Sequence, residues 1–162
     1  MAIVPDPFTQ NYGAVWDALE AHTPLTDLVK LGNRMKFDQL DPPQLKDSQL
    51  VGDTPALMLL PSGGSFQIFR TNKGGSAFQA FQLGIIAGDK RLQKQFFPVK
   101  WETIRALAKA GRTLGLEFVI NVTIGDISED LDDFATSLGI QGWTGQLEIL
   151  TELFFTKDEL TT

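Results

Sequence analysis

The sequence predicts one α+β domain: a mostly antiparallel sheet of four to five strands with helices packed on it. Three observations carry that. Apolar residues recur at helical spacing in two separate stretches. Several other runs are extended in character, one of them cleanly alternating. Glycine-rich punctuation falls between strand-like runs, as in an antiparallel meander. The 162 residues suit a single core, so one domain over 1–162 is expected.

The elements follow in order. From Tyr12 to Leu31, Val15, Trp16, Leu19, Leu25, Leu28 and Val29 fall three and four apart. Pro24 interrupts, so the stretch reads as two short helices or one kinked helix. Thr23 is the expected N-cap of the second part, with Pro24 at its first position and Gly32-Asn33 closing it. RMKFDQL is a short extended piece, and the proline-bearing stretch 41–53 is a loop.

PALMLL opens with Pro55, a suitable first residue for a strand. Ser62-Gly63-Gly64-Ser65 then reads as a hairpin turn, FQIFR as a strand, TNKGGS as a second turn, and AFQAFQLGIIAGD as a third strand. A phosphate-binding loop would need a helix after the glycines, and a strand-like run follows instead.

LQKQFFPVKWETIRALAKAGRTLG contains the strongest helix. Trp101, Ile104, Leu107 and Ala108 are expected on its core face. In EFVINVTIG, Phe118, Ile120, Val122 and Ile124 point one way. SEDLDDFATSLGI reads as a short helix over about 131–138, with acids in its first turn. QGWTGQ is a loop. GQLEILTELFF is a last strand, with Glu148, Leu150, Glu152 and Phe154 on one face and Leu147, Ile149, Leu153 and Phe155 on the other. A strand apolar on both faces has both covered, and a second subunit is one possible cover.

Composition narrows the chemistry. There is no cysteine, which excludes disulfides, thiolate nucleophiles and Cys-based metal sites. Twelve Phe against one Tyr favours core or subunit contact, because Phe needs no hydrogen-bond partner. The N-terminus is a poor signal peptide and no apolar run could span a bilayer, so a soluble, cytoplasmic protein is expected. A net charge of −6 disfavours a firm grip on nucleic acid.

Catalytic candidates are weak. Asp126, Ser128, Asp130 and Asp132 alternate as in a calcium loop, but Leu131 stands where glycine is needed and Ser137 where glutamate is. His22, the single histidine, reads as an exposed residue between helices. Asp132 with Asp133, or Glu148 with Glu152, could serve as acid and base, but read better as a solvated face or as subunit salt bridges. Trp101 reads as core, and Trp143 as a contact aromatic.

The chain also carries a resemblance. AVWDALEAHTPLTDLVKLGNRMKF resembles the N-terminal helix and first extended segment of tailed-phage tail-terminator (tail-completion) proteins. DTPALMLLPSGG resembles the strand that follows in that family, and FPVKWETIRALAKAG its second helix. The helix near 131–138 and the loop at 41–53 have no match there, which leaves open another neck or tail component.

The resemblance implies a structural, non-enzymatic virion protein of the tail or neck, assembled in the host cytoplasm, without metal or cofactor. It would form a ring, usually a hexamer, that caps the tail tube and joins it to the neck or head-side connector. DNA would be passing cargo only, and no membrane partner is implied. Interface candidates are then Ser62, Gly63, Gly64, Ser65, Lys73, Gly74 and Gly75 in the two glycine turns, with Trp143, Glu148 and Glu152. The competing expectation is a small-molecule or peptide binding domain, with Trp143 and the glycine turns lining a pocket. An enzyme using carboxylates alone is a third.

Overall fold

The computed structural model describes residues 6–36, 54–88, 91–135 and 140–161. The loop expected over 41–53 lies outside them. The fold is α+β. Its elements are α1 (Pro7–Ala21), α2 (Thr23–Leu28), β1 (Arg34–Lys36), β2 (Ala56–Thr71), β3 (Gly74–Ala87), α3 (Phe97–Ala110), β4 (Val119–Ala135), β5 (Ile140–Thr156) and α4 (Lys157–Thr161).

α1 begins where its sequence allows. Asp6 accepts a hydrogen bond from the Thr9 backbone N–H at 2.9 Å, and Pro7 takes an early position where no N–H is needed. That N–H holds the Asp6 carboxyl below its usual range. Asn11, Val15, Trp16 and Leu19 form the buried stripe. The break before α2 occurs as expected, but His22 is its cap residue and Thr23 lies inside the helix. α2 ends at Leu28, and Gly32-Asn33 belongs to a separate 3-10 turn, Leu31–Asn33. α3 stops at Gly111, whose φ of 90° suits glycine and whose N–H reaches the carbonyls of Leu107 and Ala108.

The sheet order is β1-β2-β3-β5-β4. β1 is a three-residue edge strand parallel to β2, and every other neighbouring pair is antiparallel. The helices cover one face. Val15, Trp16, Leu19, Leu25, Val99, Ala106 and Leu107 meet Leu57, Leu59, Phe81, Leu83, Ile85, Leu147 and Ile149 there. Each Val, Leu, Ile or Phe among them contributes roughly 1.5–3 kcal/mol by leaving water. Asn11 crosses the layers: its Nδ2 donates to Gln79 Oε1 at 2.8 Å and to Thr151 Oγ1 at 2.6 Å.

Further expectations fail. Ser62–Ser65 is not a turn. β2 runs through it as one strand, with a bulge between Pro61 and Gly64, and the true turn is Asn72-Lys73. SEDLDDFATSLGI is no helix as far as Ala135, because β4 continues that far against β5. Phe118 precedes β4, and a bulge between Val119 and Asn121 leaves Ile120 41% exposed while Val119 is buried. Trp101 is 59% exposed, and α3 buries Val99, Thr103 and Ala106 beside the expected Leu107.

Candidate functional site

The sheet has a second face that no described helix covers. Strand alternation places Met58, Leu60, Phe78, Gln82, Glu148, Leu150, Glu152 and Phe154 there. Among the described residues on that face, the charged groups of β5 are carboxylates. The expected split of β5 is borne out: Leu147 and Ile149 are buried under the helices, Leu153 and Phe155 are buried on the same face against Leu116 and Phe118, and Glu148 and Glu152 lie on the opposite side.

The pairing register gathers some interface candidates and separates others. Ser65, Phe78, Glu152 and Asn121 form one row across the sheet. Ser65, Gln67, Ser76, Phe78 and Glu152 line a depression of about 550 Å³ there. Glu148 sits four residues along β5 from Glu152, about 13 Å away with Leu150 between them on the same face, and pairs with Gln82 and Gly125. Gly63 has φ 78°, a conformation glycine adopts freely. A Cβ on Gly64 would run into the Phe78 carbonyl oxygen. These glycines therefore shape a bulge rather than a loop. Gly74 and Gly75 begin β3 and are buried, and Lys73 stays exposed at the hairpin tip.

Trp143 does not join them. It lies in β5 opposite Ala87, half-buried, with its ring centroid 6.3 Å from that of the buried Phe96. Gly75 pairs with Phe155, twelve positions along β3 from Ala87, which is about 40 Å in a strand. The expected pocket lined jointly by Trp143 and the glycine segments does not form. QGWTGQ is strand, not loop.

The far half of the β2–β3 hairpin carries features that sequence reading missed. Phe66, Ile68 and Phe69 are 71%, 60% and 57% exposed. With Pro7, Phe8, Phe155 and Leu160, Phe66 and Ile68 line an apolar groove of about 420 Å³. The run FQIFR was legible as a strand, but its exposure was not.

Ionic contacts tie the helices to the sheet and to each other. His22 is 4% exposed, not exposed as expected, and its Nε2 lies 2.7 Å from Glu102 Oε2. That hydrogen bond, aided by Arg105, holds the Glu102 carboxyl below its usual range. Lys100 Nζ donates to Asp126 and Glu129 of β4. Burial pulls its ammonium pKa down, but the two carboxylates outweigh burial and raise it. Arg34 on β1 is buried, and burial lowers its pKa against the pull of Glu20. Its Nη2 donates to Thr26 Oγ1 at 3.3 Å, while Nε and Nη1 have no hydrogen-bond partner among the described residues.

Among the described residues, no group of three His, Asp or Glu side chains could hold a metal ion. No described helix is long and apolar enough to cross a membrane.

No protein-family model matches the chain, and no curated protein does. Solved structures do match it. One, described as "Virion of native gene transfer agent (GTA) particle", contains a chain 15% identical to this one, with a TM-score of 0.49. The match covers 87% of this chain and 93% of that one. A likeness that distant carries no argument about this chain's role.

Proposed function

We propose that this chain is a structural assembly subunit, a ring-forming tail terminator or neck component that caps a phage tail tube and joins it to the head-side connector. One observation carries the reading. A single sheet presents two outer edges that no described strand covers over most of their length, and one bears Phe66, Ile68 and Phe69 in the open. An exposed, apolar edge strand is an aggregation hazard in a monomer and is resolved by a partner. The edges differ from each other, so contact between copies is head to tail, the kind of contact that closes a ring. The order of helices and strands along the chain fits the family resemblance noted above. Glu148 and Glu152 on the uncovered face suit a lumen through which DNA passes without sticking.

The test is the mass of the purified protein by light scattering across a concentration series, with negative-stain images and addition of tail tubes. Rings with a central hole, or capped tube ends, support the reading. A compact monomer at every concentration that leaves tube ends bare overturns it.

The apolar groove at Phe8, Phe66 and Leu160 favours a second reading, a site for an apolar peptide or small molecule. Capture of such a ligand by a protein that stays monomeric beside tail tubes would favour that reading.

A further inference from the structure

The strand register assigns matched levels to the two outer edges. Reading straight across the sheet, Leu57 pairs with Ile85, Ile85 with Gly145, and Gly145 with Glu129. Likewise Leu59 leads through Leu83 and Leu147 to Asp126. Nearer the hairpin tip, Pro61 leads to Ile124, Gly64 to Val122 and Phe66 to Val119. β1 lies outside Leu57–Leu59, so Arg34 and Lys36 stand at the level of Glu129 and Asp126.

Each edge is thus divided at the same height. On one side, the lower part is β1, which carries two bases in three residues. The upper part is the β2 stretch with exposed Phe66, Ile68 and Phe69. On the other side, the lower part of β4 carries Asp126, Glu129, Asp130, Asp132 and Asp133 and no base. Its upper part runs Val119-Ile120-Asn121-Val122-Thr123-Ile124, with Ile120 exposed. Base faces acid below, and apolar faces apolar above.

Two further facts fit. β1 and β2 run parallel to each other and antiparallel to β4, since three antiparallel steps separate β2 from β4. Laid side by side between copies, they continue the antiparallel sheet. Arg34 also keeps two buried donors without a partner among the described residues, and a buried guanidinium left so is costly. Glu129 stands at the level of Arg34 on the same, helix-covered face, and although Lys100 of its own subunit holds it, it stays exposed enough to reach across as well.

We infer that β4 of one copy packs antiparallel against β1 and β2 of the next with little offset along the strands, Glu129 toward Arg34 and Ile120 toward Phe66. The inference rests on the assembly reading above and specifies its contact. Matching both halves at one height removes the axial step that would turn a head-to-tail contact into a helical filament, which is one condition for a ring to close.

The absence of cysteine makes the test clean. Phe66→Cys, Ile120→Cys and Asp130→Cys are made singly at exposed positions, purified, mixed in pairs at assembling concentration and treated with a short bismaleimide. The Phe66→Cys and Ile120→Cys mixture is expected to cross-link at least about tenfold more than either alone. The Phe66→Cys and Asp130→Cys mixture is expected not to, because those levels lie about 30 Å apart. In parallel, Glu129→Lys is expected to raise the concentration for half-assembly about tenfold, with added salt weakening the wild type.

Strong self-linking of Phe66→Cys at the level of the mixture would mean a symmetric hairpin contact and would overturn the inference. Rings that form normally without the Phe66–Ile120 link, or with the Phe66–Asp130 link, overturn it while sparing the assembly reading. Monomers that neither link nor cap tubes overturn both.

Discussion

His22 and Glu102 show how a residue's role changes once its neighbours are known. In sequence, His22 is a lone polar residue beside a helix break. In the fold it is buried, and its Nε2 meets Glu102, joining the α1–α2 junction to α3. Glu102 has a depressed folded pKa, first through His22 and then through Arg105. Its stabilising contribution is therefore present above the ordinary carboxylate range and lost as pH falls through the depressed value. His22→Ala should lower the melting temperature at neutral pH and flatten its fall on acidification. An unchanged acid limb in thermal melts at stepped pH would contradict this. The two tryptophans read as apolar helix residues make a second contrast. Trp16→Ala should cost about 3–5 kcal/mol as a core truncation, whereas Trp101→Ala should stay within about 0.5 kcal/mol, both read by denaturant midpoint.

Among the elements, β2 diverges most from its sequence pattern. Two glycines flanked by serines carry a turn signal, yet the strand continues through them for sixteen residues. Local propensity allows a turn there, but pairing with β3 on both sides of the bulge outweighs it. Gly63→Ala should cost roughly 1–2 kcal/mol, the penalty for a left-handed residue with a Cβ. Gly64→Ala should cost about 1–3 kcal/mol through collision with the Phe78 carbonyl oxygen. Urea titrations would rank them, and a true flexible loop would show neither loss. The acidic stretch of β4 departs in the same way. Its acids suit a helix start, but β5 supplies a continuous ladder that keeps it extended as far as Ala135. Helix α3 needed no correction to its existence, because its spacing, its early Pro98 and Gly111 all agree.

For the whole molecule, the decisive property is what the helices leave uncovered. Phe66→Ser with Ile68→Ser should leave the melting temperature nearly unchanged, since both side chains are exposed, and should abolish self-association by light scattering. Loss of fold would place these residues in the core instead, and retained assembly would place the contact elsewhere. The sequence by itself determined the α+β class, the helical stretches around Trp16 and Leu107, and the two-faced last strand. Those follow from periodicity, which is local and written in residue order. Only the tertiary structure decided that the glycine segments are strand, that Trp101 and the FQIFR side chains face solvent, and that Arg34 and Glu129 stand at one height on opposite edges. Those depend on which segments pair and where a bulge shifts register, and one extra residue in a strand turns every later side chain to the other face.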